Sequence, residues 1–442
     1  MKIHFISLGC DKNLTDSEVM IGTLAESGFS MTDEAEKADA IVINTCGFIA
    51  DAVSENVETI LDAARYKTEG ACKALVVTGC LAQRYKDEIF KEMPEVDAII
   101  GPGSLNAVAD AVNGVLLKSQ KINLTDFNGA YGEDFYEKRV LSAPFHYAYI
   151  KIAEGCDNKC VYCAIPSIRG RYRSRPFASV MAEARRLAAG GVKEIILVAQ
   201  DTSLYGEDLG KNMLAELLAS ISEIDGVEWI RIMYAYPERM TNDVIEEIAR
   251  NKKVCKYIDV PAQHSDEGVL RRMGRKGGVQ AAIERLREGI PGVALRTTLI
   301  VGFPGETEEE FQSLLMFVRK TRFDRLGVFE FSREPGTPAY DMKNQVSSRV
   351  KRRRKDELMR LQRDISMEIS RGKIGKRVMA IVDGKTQDGR FQCRTQADAP
   401  DVDGTILFKH DGEMLSGSFV ELQIIEASEY DLTGALINEY AK

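Results

Sequence analysis

The sequence predicts an α/β protein in three parts: an open parallel α/β domain, a central partial (β/α)6 TIM-like barrel, and a small OB-like antiparallel β-barrel. Three observations carry that expectation. Short apolar runs alternate with helical stretches twice along the chain, a charged helical segment follows, and the last stretch changes to period-two patterning with Gly-rich turns. The 442 residues are 44% hydrophobic and 29% charged, which is ordinary globular usage and length enough for two or three domains.

In the first domain, residues 1–116, strands are expected at 3–8, 40–44, 74–78 and 97–100, each followed by a helical stretch, the pattern of a parallel sheet. Residues 117–143 lose that rhythm, gain Gly, Asp and Tyr, and read as a linker with a short hairpin. Residues 144–346 then offer six strands, at 148–152, 194–199, 229–233, 257–260, 294–300 and 325–331, with helices between them. Residues 347–374 place Val350, Leu358, Leu361, Ile365 and Ile369 at helical spacing behind a basic run at 349–355, which predicts a connecting helix. From 375 to 442 the runs 378–382, 404–408 and 419–424 predict the small barrel.

Composition narrows the function classes. No apolar run approaches the roughly 20 residues needed to span a bilayer, and the start reads directly into a strand, so neither a membrane anchor nor export is expected. Nine cysteines are an odd number in a long chain. That argues against a disulfide framework and for thiolate–metal chemistry in a reducing cytoplasm. The net charge of -8 and pI near 5.4 argue mildly against a phosphate backbone as main partner.

Cys156, Cys160 and Cys163 stand at CxxxCxxC spacing in the loop after the first barrel strand. Three close thiolates suit an iron-sulfur cubane, and the missing fourth leaves one iron open for a ligand. A zinc knuckle would pair CxxC units or add histidines, and no His lies nearby after His146. The loop falls where (β/α) barrels place their chemistry. Other strand ends of that face carry Gln200, Asp201, Thr202 and Ser203, Tyr234 to Tyr236, and Gln263 and His264, with Thr297 and Thr298 inside the fifth strand. Together they are candidates to hold a polar cofactor.

A second triad is spread over the first domain. Cys10, Cys46 and Cys80 each follow a predicted strand, so the carboxyl edge of a parallel sheet brings them together. Gly9, Gly47 and Gly79 beside them remove bulk where backbone turns or approaches a large ligand. Cys72, Cys255 and Cys393 have no such company and read as filler.

With these residues in place, the chain resembles the radical S-adenosylmethionine (radical SAM) methylthiotransferases over almost its full length, in the order amino-terminal cluster domain, radical domain and TRAM barrel. The resemblance implies that Cys156, Cys160 and Cys163 bind a [4Fe-4S] cluster whose open iron chelates S-adenosylmethionine, with Tyr162 near adenine. It implies that Cys10, Cys46 and Cys80 hold an auxiliary [4Fe-4S] cluster that carries or donates sulfur. One S-adenosylmethionine would methylate that sulfur, and a second would yield a 5′-deoxyadenosyl radical that takes hydrogen from an unactivated carbon. Gln200, Asp201, Gln263 and Thr298 are its candidate cofactor contacts, although Gln200 and Asp201 depart from the Gly-Gly-Glu of many radical enzymes.

Ser7-Leu8-Gly9-Cys10-Asp11-Lys12-Asn13-Leu14, Asn44-Thr45-Cys46-Gly47-Phe48-Ile49, Val198-Ala199-Gln200-Asp201-Thr202-Ser203 and Val260-Pro261-Ala262-Gln263-His264-Ser265 are similar to the RimO-type branch, with Asp11 in place of an expected proline. That branch modifies the β-carbon of an aspartate in small-subunit ribosomal protein uS12, and the implied partners are uS12, an electron donor and a sulfur source. The alternatives are the transfer RNA adenosine branch, with the same mechanism, and a non-catalytic metal-stabilised RNA-binding protein.

Charge offers a separate discriminator. Residues 375–442 hold seven Lys or Arg and twelve Asp or Glu, a balance of -5. A barrel that binds nucleic acid needs a basic groove with stacking aromatics, and Phe391, Phe408 and Phe419 stand in the wrong field for that. An acidic face would steer towards a basic ribosomal protein. Arg169, Arg171, Arg173 and Arg175 and the run 349–355 cut the other way, towards RNA or anionic cofactor groups.

Overall fold

The computed structural model describes residues 1–118, 120–125, 133–142 and 144–440. The first sheet is parallel throughout and comprises β1 (Lys2–Ser7), β2 (Ser30–Met31), β3 (Ala40–Thr45), β4 (Ala74–Gly79), β5 (Ala98–Ile100) and β6 (Ile122–Leu124). Every residue of β3 and β4 is buried, because helices cover both faces and build separate apolar cores around Val42 and Val76 on one side and Ile43 and Val77 on the other. The strand order β2-β1-β3-β4-β5-β6 reverses direction between β1 and β3. A crevice opens at the carboxyl ends of strands at such a switch point.

The second sheet holds β7 (Tyr147–Lys151), β10 (Glu194–Val198), β11 (Trp229–Ile232), β12 (Val254–Gln263), β13 (Ala294–Val301) and β14 (Arg325–Glu330) in sequential parallel order, a partial barrel. A two-stranded ribbon, β8 (Ala153–Glu154) with β9 (Arg173–Ser174), brackets the first cysteine loop. Ile150, Ile195, Leu197, Ile230 and Ile232 face the covering helices. The alternate residues Tyr147, Tyr149, Ile196 and Trp229 instead meet Ile381, Ala399 and Phe419 of the small barrel.

That barrel closes from β15 (Arg377–Lys385), β16 (Phe391–Arg394), β17 (Ile406–Phe408), β18 (Phe419–Ala427) and β19 (Leu432–Tyr440). It seats on the strand starts of the second sheet through a buried polar chain. Glu194 pairs with Arg231 and Arg394, each at 2.7 Å, Arg394 pairs with Asp383 at 2.8 Å, and Asp383 accepts from His146 at 2.8 Å. Asp398 meets Arg325 at 2.5 Å and Asp403 meets Arg296 at 2.9 Å. The opposite, carboxyl ends of the strands are left for chemistry.

Three expectations are modified. Within the expected linker, 122–124 form an edge strand of the first sheet and Glu133–Lys138 a 3-10 helix; no hairpin occurs there among the described residues, and residues 126–132 and 143 lie outside them. The edge strand is three residues long and half-exposed, too short to show a period. Part of the acid surplus of the barrel, at Asp383, Asp398 and Asp403, is spent on docking to arginines rather than on a partner-facing surface. Phe391, Phe408 and Phe419 are buried, so they offer no stacking platform. Among the described residues no helix is long and apolar enough to cross a membrane.

Candidate functional site

The β1/β3 switch point gathers Cys10, Cys46 and Cys80. Cys10 caps the helix Asp11–Glu26, Cys46 follows β3, and Cys80 opens the short helix after β4. A methyl group on Gly9, whose φ is +95°, would lie 2.9 Å from Cβ of Cys46. Asn56 fixes the Cys46 loop by accepting its backbone N–H at 2.9 Å. Burial raises the Cys46 thiol, with Cys10 adding to the effect. Burial pushes the Cys80 thiol up to about 11, the Arg169 guanidinium pulls it back, and Cys10 and Cys46 push it further.

Cys156, Cys160 and Cys163 lie in the loop between β8 and β9. Burial raises Cys156 and pushes Cys163 up to about 12, with the neighbouring thiols adding to both. Cys163 accepts from the Ile165 N–H at 3.5 Å, Cys160 lies 3.6 Å from the Tyr236 hydroxyl, and Asn158 beside Cys156 offsets part of the effect of burial there. Asn158 in turn donates to Asp201 at 3.0 Å and accepts from Arg239 at 2.6 Å. Among the described residues no three His, Cys, Asp or Glu converge on a single ion position.

The two domains meet beside the triads. Cys80 packs on Ala164, which directly follows Cys163 in the chain, and on Ile168 of the helix after it. Between the domains runs a buried ionic network: Lys151 pairs with Asp16 and with Glu154 at 2.6 Å, and Arg169 pairs with Glu154 at 2.9 Å and Asp16 at 3.1 Å. Arg169 also donates to Asn13 at 2.6 Å, and Asn13 lies 3.8 Å from the Cys80 sulfur. Burial would raise Glu154, but Arg169 and Lys151 outweigh it and hold the carboxyl far below its ordinary range. Arg84 adds a second tie, reaching Glu334 at 2.9 Å and the Gly47 carbonyl at 2.8 Å.

The candidate cofactor contacts differ in what they offer. Gln200 donates to Glu154 at 3.2 Å and its Oε1 is buried without a partner. Gln263, at φ +67° beyond the β12 bulge, also buries an unpartnered Oε1. Tyr162 packs edge-on to Phe303 at 6.4 Å, and Thr298 is half-buried in β13. Asp201 is fully buried and its oxygens are taken by Ser203, Asn158 and Arg239, the last at 3.1 Å. It holds the cysteine loop and presents no free oxygen. His264 is buried, and its Nδ1 accepts the Asp266 N–H at 3.0 Å. Arg169 and Arg175 are buried in ion pairs, whereas Arg171 and Arg173 are exposed.

Comparison with known proteins matches this division. Residues 2–101 match the uncharacterized protein family UPF0004, residues 150–318 the radical SAM superfamily, and residues 374–437 the TRAM domain. The chain is 48% identical over 439 residues to the ribosomal protein uS12 methylthiotransferase RimO of Lachnoclostridium phytofermentans, covering 98% of this chain and 99% of that one. It is 47% identical to the protein of the same name from Acetivibrio thermocellus, covering 100% and 99%. The chain belongs to the RimO family of radical SAM methylthiotransferases. Among solved structures, the radical S-adenosylmethionine methyltransferase TsrM of Kitasatospora setae, determined with cobalamin and a [4Fe-4S] cluster bound, shares the fold with a TM-score of 0.56. The two are 15% identical over 76% of each chain.

Several residues that bind this RimO-family site together escape a reading of spacing alone. Asp16, Lys151, Glu154 and Arg169 are scattered charges in sequence but one buried cluster in space. A signal was present, because Lys151 interrupts and Glu154 ends the apolar run that starts at Tyr147, where charge demands a partner. Tyr236 was legible as a strand-end candidate, but nothing in the sequence marks its reach to Cys160.

Proposed function

We propose that this chain places a methylthio group on the β-carbon of an aspartate in ribosomal protein uS12, using two [4Fe-4S] clusters and S-adenosylmethionine. The observation that carries the reading is the contact of Cys80 with Ala164 and Ile168, which brings a thiol of one domain next to the residues that follow Cys163 in the other. Cys10, Cys46 and Cys80 would hold the auxiliary cluster, and Cys156, Cys160 and Cys163 the other. The donor sets fit by their chemistry: three soft thiolates each suit an iron-sulfur cubane with one iron left open.

When bound, the clusters and S-adenosylmethionine supply the electrons, the carbon-centred radical and the sulfur that no side chain provides. The protein's residues position and shield. Gln200 and Gln263 each bring a buried, unpartnered amide oxygen, suited to accept from the amino and hydroxyl donors of S-adenosylmethionine, with Tyr162 and Thr298 completing its pocket. Asp201 acts through Asn158, fixing the loop that carries Cys156. The charged network of Asp16, Lys151, Glu154 and Arg169 ties the two domains together and would hold the groups bound by the two triads in a fixed relation. An external reductant and a sulfur source complete the reaction, and a ribosomal substrate places it in the cytoplasm.

The test is mass analysis after anaerobic reconstitution with iron and sulfide, then incubation with S-adenosylmethionine, dithionite, and either uS12 with its ribosomal subunit or transfer RNA. A gain of about 46 Da, replacement of H by SCH3, on a uS12 aspartate is expected. The same gain on adenosine would move the activity to the transfer RNA branch.

A further inference from the structure

Tyr236 follows β11 in the chain but reaches the loop of the first barrel strand, where its hydroxyl lies 3.6 Å from the Cys160 sulfur. The ring is held in place. Arg275 stacks its guanidinium 4.3 Å from the Tyr236 centroid, and is itself fixed by the Pro261 carbonyl at 3.0 Å and Glu238 at 3.3 Å. Cys163 is served by a backbone N–H from within the loop. Tyr236 instead comes from a different strand end, on the face where substrate and cofactor must lie.

We propose that Tyr236 donates its O–H to the Cys160 thiolate and thereby sets the reduction potential of the cluster held by Cys156, Cys160 and Cys163. The inference rests on the cluster assignment above. A hydrogen bond to a ligating sulfur withdraws charge from it and favours the more negative, reduced cluster, so the potential rises. Tyr236 is a positioning and tuning residue, and need not touch the substrate.

The test is an EPR-monitored redox titration of the full chain, anaerobically reconstituted, following the signal that changes when S-adenosylmethionine is added. Tyr236→Phe should make reduction less favourable by about tenfold, a shift of about 59 mV to more negative potential for one electron. Replacing Tyr236 by 3,5-difluorotyrosine, a stronger donor of the same shape, should shift it the opposite way. A Tyr236→Phe protein with full iron content and unchanged potential overturns the inference. If that variant loads no iron, an unshifted potential in the difluorotyrosine protein does the same. A wild-type chain that binds no iron at Cys156, Cys160 and Cys163 would instead refute the underlying assignment.

Discussion

Asn158 donates to Asp201 across 3.0 Å, which fastens the loop carrying Cys156 and Cys160 to the end of β10. Arg239 closes the same knot, contacting Asp201 at 3.1 Å and Asn158 at 2.6 Å. Groups that orient metal ligands in this way typically matter 10–100-fold in metal affinity. Asp201→Ala should therefore lower iron retention at this triad by roughly that factor while the auxiliary triad stays loaded. Iron and sulfide analysis during chelator challenge checks it; equal loss at both triads would contradict the local role.

Two glycines should separate the triads from each other. Gly9 has φ +95° and no room for a methyl beside Cys46, and Gly274 has φ +72° and its added methyl would strike the Lys159 carbonyl within the other loop. Gly9→Ala should impair only the Cys10, Cys46 and Cys80 site, and Gly274→Ala only the Cys156, Cys160 and Cys163 site. Mössbauer quantification of each reconstituted variant would show it.

The interdomain network should be costly to break. Arg169 and Lys151 are buried against Asp16 and Glu154, and removing one member leaves uncompensated charge, a loss of about 3–5 kcal/mol. Lys151→Met should lower the unfolding midpoint accordingly. Reverting the charge imbalance with Asp16→Asn in the same chain should recover part of the loss, which a thermal melt of both variants would reveal.

Acid should act through the same kind of pair. Burial alone would raise Glu183 and Glu194, but Arg175 and Arg139 outweigh it at the first, and Arg394 and Arg231 at the second, so both carboxyls are held below their ordinary range. A depressed folded pKa means that the unfolded chain binds more protons, so the stabilisation is present above the ordinary Glu value of about 4.3 and is lost as pH falls below it. Unfolding midpoints should thus be nearly level from pH 7 to 5 and fall steeply below about 4. A level profile into the acid range would show that these pairs contribute nothing.

Much of this was legible in the sequence because the signals were local. The CxxxCxxC spacing needs only eight residues, and Cys10, Cys46 and Cys80 each follow a strand whose apolar run is plain. Asp11, where proline was expected, stays compatible with the helix it begins: an acid suits the first turn, and here it also accepts the Tyr234 hydroxyl at 3.3 Å. What spacing could not show were relationships set by packing between domains. The acids of the small barrel read as a solvent-facing surplus until Asp383, Asp398 and Asp403 are seen against arginines. Gln263 was legible as a strand-end residue, yet its φ of +67° depends on a bulge that no pattern announces.

The two-cluster arrangement is tested most directly by counting iron after reconstitution, in the wild-type chain and in two triple variants. Wild type should hold about eight irons, two cubanes of four. Cys10→Ala/Cys46→Ala/Cys80→Ala and Cys156→Ala/Cys160→Ala/Cys163→Ala should hold about four each. Only the first should still cleave S-adenosylmethionine, and without sulfur insertion. A wild-type protein that saturates at about four irons, or a first variant that retains sulfur insertion, would contradict the account.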